Sequence, residues 1–348
     1  MSKNPLSFQL NLNPDDFAPA SDDEKQSLVV MRESVSFWKD GLRRLRKNKV
    51  AMVSLVVIII VMFFSFIVPS FYPYTYEQQI RGSESLKPME YSESELERIE
   101  NGEDVFPHVF GTDKLGRDYA IRVMMGSRIS LLVGIVATAI IFVIGSAYGS
   151  IAAFAGGWLD LVMMRIVDII YTIPDVLLIV LLSFALKAPL ETLETLPGMG
   201  WVHTVGTNLI SIFVVFALLY WVGMARMVRS QVLTLKESEY VTAARALGAK
   251  SGRIIKKHLL TNCLGTLIVT TTLQIPSSIF TESFLSFLGL GVAKPMPSLG
   301  SLASEAINGL NTYPHLLFIP AVLISLIILS FNLLGDGLRD AFDPKLKD

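Results

Sequence analysis

Apolar runs too long and too empty of charge to be strands or ordinary surface helices constrain this chain more than any other feature. Val50 to Val68 gives 19 residues without a charge and stops at Pro69. At about 1.5 Å of rise per residue, that run nearly crosses a hydrocarbon core of about 30 Å. Ile129 to Leu159 is charge-free for 31 residues and carries Gly145-x-x-x-Gly149, a spacing that lets two helix backbones approach closely. Gly156-Gly157 is its exit turn. Leu159 to Leu186 predicts a third span, interrupted by Arg165, Asp168 and Asp175 and kinked or broken at Pro174. Leu209 to Ala225, Leu264 to Leu288 and Leu316 to Gly335 predict three more. The expectation is an all-α polytopic membrane protein with six transmembrane helices.

Composition supports a lipid solvent. Of 348 residues, 51% are hydrophobic, and the mean hydropathy is +0.51. A net charge of -1 gives no global attraction to nucleic acid, so electrostatics must be read loop by loop. The single cysteine, Cys263, can form neither an internal disulfide nor a thiolate metal cage, and reads as a small buried residue. The first apolar run lies too deep to be a secretory leader and is expected to be a retained helix.

Orientation follows from the basic residues flanking the spans. Arg32 to Lys49 holds seven Lys or Arg against Glu33 and Asp40, and Arg226 to Asn262 holds eight against Glu237 and Glu239. Both segments are expected in the cytoplasm, and six spans then place both termini there. The chain divides into a cytoplasmic N-terminal arm with a basic amphipathic segment (1–49), a first span (50–68), an external connection (69–128), a five-helix core (129–335) with a cytoplasmic loop (226–262), and a cytoplasmic tail (336–348). The segment from Lys187 to Asn208 is expected outside. The external connection carries seven bases, but at 60 residues it is long enough to cross regardless of charge. Within it, Glu77 to Asp104 has nine acids against three bases, which suits a solvated loop or short helix, or else a docking face for an external partner.

The cytoplasmic loop has an internal pattern. Tyr240, Ala244 and Leu247 recur at helical spacing between Glu237 and Ala249, Gly248 supplies a stop, and Ser251 is placed to cap a second short helix. That helix runs through Ile254 and Ile255 and ends on Lys256, Lys257 and His258, where positive charge is favoured. A helix, a turn and a helix are therefore expected. Elsewhere, Arg165 and Asp168 are one helical turn apart and can neutralise each other on a face shared with Asp175, either bracing the cytoplasmic helix ends or taking part in gating. The polar fifth span points to a pathway-lining helix, with Gln274, Ser278 and Glu282 as candidates. Asp113 and Asp118 lie close together, yet no His or Cys completes a metal site, so a capped, salt-bridged turn is expected there.

Tyr240-Val-Thr-Ala-Ala-Arg-Ala-Leu-Gly248, followed by His258-Leu-Leu-Thr-Asn262, resembles the "EAA" loop of ABC importer permeases, in the version of the oligopeptide and dipeptide systems. Thr242 stands where the general pattern has Glu, and Thr261 where it has Pro. Four further segments are similar to the C-type permease subunit of that family. Phe110-Gly-Thr-Asp-Lys-Leu-Gly-Arg-Asp118, running on to Gly126-Ser-Arg-Ile-Ser130, resembles its signature before the second span, with Ile121 where serine is common. Gly156-Gly157-Trp-Leu-Asp160, with Arg165, Asp168 and Pro174, resembles the start of its third span. Glu282 to Gly291 and Phe331 to Asp340 are similar to the end of its fifth span and to its carboxyl end.

The resemblance covers most of Phe110 to Pro344 and implies a type I ABC importer permease architecture in the bacterial cytoplasmic membrane. It implies docking on an ATPase through Glu239, Tyr240, Thr242, Ala243, Ala244, Leu247 and Gly248. The implied partners are a B-type permease subunit, two ATP-binding subunits that hold ATP and Mg, and an extracytoplasmic peptide-binding protein. Peptides are the implied cargo, with nickel or another small solute as the alternative. The chain contains no G-x-x-x-x-G-K-[ST] loop of its own, so it is read as a transport subunit without a cofactor, not an enzyme. An ion-coupled secondary transporter is the competing class; it calls for two repeated halves with broken helices, and no internal repeat stands out. An intramembrane hydrolase would need a base within the spans, whereas His108, His203, His258 and His315 fall outside or at their edges.

Overall fold

Short polar side chains decide where two of the long helices begin. The computed structural model describes residues 37–194, 206–292 and 295–342, and its regular elements are helices. Most of the N-terminal arm, residues 195–205 of the connection expected outside, and the end of the tail lie outside the described residues.

Helix α1 (Phe37–Lys47) leads into α2 (Lys49–Phe66), whose Asn48 cap accepts a hydrogen bond from the Ala51 amide at 3.2 Å. At the far end of α2, Arg128 donates to the Ser65 carbonyl at 2.8 Å and the Phe66 carbonyl at 3.0 Å. These carbonyls have no partner within their own helix, and a cation is favoured at that terminus. A connecting segment with its own short helix α3 (Glu93–Glu100) then reaches α4 (Tyr119–Ala155). With 37 residues, α4 is roughly 55 Å long at about 1.5 Å per residue. It starts ten residues before the charge-free run that predicted it, because Asp118 caps it and the charges of Arg122 and Arg128 are satisfied by partners.

Gly156 ends α4 and α5 (Gly157–Thr172) starts at once, turned by positive φ at both glycines. The predicted third span is two helices: α5 stops at Ile173–Pro174 and α6 (Asp175–Glu194) leaves at 93°. Proline disfavours helix at the residue before it and has no amide hydrogen to continue the ladder. Helix α7 (Thr207–Leu235) contains a π-helical turn at Phe216–Tyr220. It runs ten residues past the expected end at Ala225, since Arg226 and Arg229 find carboxylates on α5. Two short helices follow, α8 (Glu239–Ala246) and α9 (Ser251–Asn262), the second opened into a π turn over Ile255–Leu259. The last three are α10 (Leu264–Phe287), α11 (Leu299–Ala306) and α12 (His315–Phe342).

Close backbone approach holds the long helices together. A Cβ on Gly145 would sit 2.6 Å from Met224 Cβ, and one on Gly149 would collide with the Ala225 carbonyl, so the predicted small-residue pair is the seam between α4 and α7. One apolar core gathers α4, α7 and α10 with Val241 of α8 and Ile254 and Leu259 of α9. A second joins α1, α2, α11 and α12 to the other side of α4 and α10. Much of the remaining apolar surface faces outward, including Val53, Ile59, Val143 and Phe318.

Four helices are long and apolar enough to cross a membrane: α2 with its terminal turn, α4, α7 and α12. The bent pairs α5–α6 and α9–α10 (72°) pass the same test, so there are six spans if each pair counts as one. The bundle has two distinct ends. The start of α4, α11, the start of α12 and the connecting segment gather at one, where the Tyr119 hydroxyl donates to the Leu316 carbonyl. The end of α4, α1, α8 and the close of α12 gather at the other.

Candidate functional sites

The loop at the basic end is built as its sequence pattern predicts, and its exposed face differs in detail from the pattern's apolar stripe. Helix α8 is anchored by Val241, which is fully buried, and by Arg245, whose guanidinium lies 5.0 Å from the centre of the Phe154 ring on α4. Lys236 adds a hydrogen bond of 3.0 Å to the Ala153 carbonyl. Gly248 takes φ +80°, the left-handed conformation that ends a helix and that L side chains resist. The second helix is capped by the backbone of Lys250, with Ser251 as its first residue, and it continues past His258 to Asn262. Asn262 donates to the Tyr240 hydroxyl at 3.0 Å, fixing α8 against α9. Glu239, Tyr240, Thr242, Ala243, Leu247 and Gly248 are all exposed, and Ala244 is half-buried. Leu247 is 88% exposed, a large apolar side chain next to a rigid helix end. Such a surface suits a partner.

Just above it, two ion pairs clamp α5 to α7. Arg229 grips Asp160 with two hydrogen bonds of 2.6 Å, and Arg226 reaches Asp168 at 2.8 Å while lying 4.3 Å from the centre of the Tyr171 ring. The expected Arg165–Asp168 pair is only a 3.9 Å contact between exposed groups, because Arg226 is the nearer partner. The side chain of Asp175 lies outside the described residues.

Toward the middle of α10, Ser278 and Glu282 are wholly enclosed, so neither faces open space in this conformation; Gln274 is half-buried. The Glu282 carboxylate accepts hydrogen bonds from Ser130 on α4 and Ser286 at 2.7 Å each, and from Ser283 at 3.3 Å. Ser130 in turn accepts the Leu299 amide at the start of α11, and the Ser278 hydroxyl lies 3.4 Å from that of Thr138. Three helices are thus tied through one carboxylate. Ser130 lies in a quoted motif, but nothing in its sequence spacing pairs it with a residue 152 positions away.

The connecting segment holds a site that sequence reasoning missed. His108 is fully buried, with Nδ1 2.7 Å from Asp118 and Nε2 3.0 Å from Glu95 of α3, under the stacked ring of Tyr74. Burial opposes a charged imidazole, but the hydrogen bonds and charges of Asp118 and Glu95 outweigh it and raise the His108 pKa. Burial likewise opposes ionised Glu95, yet its bonds from Ser92 and His108 lower the pKa. Burial and the nearby carboxylates push the Tyr74 hydroxyl up to about 12, and it donates to the Phe106 carbonyl. Of the nine acids from Glu77 to Asp104, Glu95 alone turns inward to the histidine; the other eight are exposed, as expected of a solvated stretch with a short helix. Asp113 is consumed as expected: Arg117 Nε and Arg122 approach it at 2.7 and 2.6 Å, and Arg122 also reaches Glu305 of α11 at 2.9 Å. Among the described residues no cluster of His, Cys, Asp and Glu has the arrangement of a metal site.

A polytopic helical bundle with long apolar spans and an exposed helix–turn–helix at its basic end is the build of a membrane permease subunit, and the comparisons with known proteins agree. The profile of the family described as "Binding-protein-dependent transport system inner membrane component" matches residues 145–348, and that described as "N-terminal TM domain of oligopeptide transport permease C" matches residues 36–88. The chain is 38% identical over 337 residues to the oligopeptide transport system permease protein OppC of Bacillus subtilis, covering 97% of this chain and 99% of that protein. It is 40% identical over 341 residues to the dipeptide transport system permease protein DppC of the same organism, covering 97% and 96%. To OppC of Escherichia coli K12 it is 37% identical over 313 residues, covering 90% and 93%. The chain belongs to the inner membrane components of binding-protein-dependent ABC transport systems, and is a multi-pass permease subunit without ATPase activity.

Proposed function

We propose that the chain forms half of the translocation pathway of an ATP-driven oligopeptide or dipeptide importer. It does so as six spans with both termini in the cytoplasm. Its complex contains a B-type permease subunit, two ATP-binding subunits that carry ATP and Mg, and an extracytoplasmic peptide-binding protein. The peptide cargo rests on the permeases to which the chain is similar.

One observation carries the mechanical part of this reading: α8 is exposed along Glu239, Tyr240, Thr242, Ala243 and Leu247, yet is fastened to α4 through Arg245 and Phe154. When two ATP-bearing partners close, a load on α8 passes to the end of α4. From there it passes to α7 across the Gly145–Gly149 seam and to α5 through the Asp160–Arg229 and Asp168–Arg226 pairs. The seam and these pairs make α4, α5 and α7 one block that takes up the load together. Gln274 is assigned to the pathway face of α10. Ser278 and Glu282 join it only in a state where α10 parts from α4, which requires the Ser130–Glu282 bond to open.

The test is co-purification of the ATP-binding subunits with Leu247→Asp and Gly248→Pro. Both changes lie on exposed loop positions, so membrane insertion is expected to be normal, while recovery of the ATP-binding subunits and peptide uptake fall at least tenfold. Normal co-purification and uptake in both variants would refute the docking assignment.

A further inference from the structure

Helix α1 arranges its side chains in layers that match a membrane surface. Gly41 and Leu45 are buried, Gly41 beneath Phe342 of α12 and Leu45 in the apolar core that α1 shares with α12. Beside them on the helix circumference come Trp38 and Leu42, 54% and 49% exposed, with the Trp38 ring edge-on to Phe342 at 5.8 Å. Next come Lys39, Arg43 and Arg46, all exposed, and the circle closes back to the protein side through a half-buried ion pair between Asp40 and Arg44 at 3.2 Å. The outward part of the helix is therefore an apolar strip beside a basic one. An amphipathic helix lying in an interface likewise presents an apolar face to acyl chains and a basic face to headgroups.

Position supports the match. Only Asn48 separates α1 from α2, whose outward-facing Val50 and Val53 begin a candidate span, so α1 is held at the boundary of the apolar region. Among the described residues, Lys39, Arg43 and Arg46 make no ion pair. The acids of α12 nearest in sequence to Phe342, Asp336 and Asp340, do not neutralise them.

We propose that this face of α1 is a binding surface for anionic phospholipid headgroups. Lys39, Arg43 and Arg46 take the phosphates, and Trp38 and Leu42 enter the acyl boundary. Charge complementarity and continuity with α2 both point to lipid on this face. A tryptophan at headgroup level also suits such a boundary. Because α1 braces the end of α12, a lipid seated there would steady the junction between the first and last spans.

The test uses the whole complex, with its permease and ATP-binding partners, in nanodiscs of phosphatidylcholine doped with a photoactivatable phosphatidylglycerol or, separately, photoactivatable phosphatidylcholine. Cross-linked peptides are mapped by mass spectrometry. The expected result is labelling within residues 37–50 by phosphatidylglycerol in clear excess over phosphatidylcholine. Replacing Lys39, Arg43 and Arg46 by Gln weakens it by about fivefold per cation, and the charge-keeping set K39R, R43K and R46K retains it. Equal labelling by both lipids, or labelling unchanged in the Gln variant, overturns the proposal. So does labelling that appears only after deletion of residues 1–36, which would make that segment, with its six acids against three bases, the occupant, or cross-links from α1 to a partner subunit in place of lipid.

Discussion

Glu282 and His108 solve the same problem, an enclosed polar group, with opposite partners. Glu282 is surrounded by hydroxyls that satisfy its oxygens without a countercharge. His108 has two carboxylates, and the sign of its linkage to stability can be worked out. Its folded pKa is raised above the ordinary 6.5, so its stabilisation is complete below 6.5 and is lost as pH rises through the folded value. Glu95 is lowered from 4.5, so its share is complete above 4.5 and is lost as pH falls through its folded value. Resistance of residues 69–118 to limited proteolysis should therefore peak between pH 4.5 and 6.5. His108→Gln removes the decline on the alkaline side, and His108→Ala, which strands two buried carboxylates, costs roughly 3 kcal/mol. An unchanged alkaline decline in His108→Gln would show that another group titrates.

At the scale of elements, the α4–α7 seam is the link on which the proposed load path from the loop depends. Gly149→Val drives a side chain into the Ala225 backbone. Overpacking of this kind costs about 1–3 kcal/mol, and it should separate α4 from α7, lowering the thermal midpoint of the purified complex and its transport-coupled ATPase activity together. A midpoint equal to that of the unaltered complex would mean that the seam is not under close contact.

Much of this element plan was legible in the sequence. The small-residue spacing marked Gly145 and Gly149, Pro174 marked the break between α5 and α6, and Gly248 marked the turn after α8. Helix ends were read less well. Charge was taken as the boundary of a span, whereas Arg122, Arg128, Arg226 and Arg229 lie inside helices, their charges met by distant partners. The inward face of α8 was not legible, although its outward docking residues were named. Val241 is what anchors it, which leaves Leu247 outward, and no local periodicity distinguishes an apolar residue meant for the core from one meant for a partner. The polar centre at Glu282 and the buried His108 both depend on contacts between residues far apart in the chain.

At the scale of the whole molecule, the bundle has an end that is basic and carries α8, and an opposite end where the connecting segment folds over the start of α4. Asp113 and Arg117 of that segment meet Arg122 of α4 and Glu305 of α11, so the far end is also braced by charge. In the proposed function the chain supplies the moving walls, and the energy arrives through α8 from a separate nucleotide-binding partner. Reconstituting the complete complex with its binding protein in proteoliposomes, and measuring peptide uptake with ATP hydrolysis blocked but ion gradients intact, tests this most directly. Uptake should cease when hydrolysis is blocked and resume when it is restored, whatever the gradients. Continued uptake driven by the gradients alone would contradict the account.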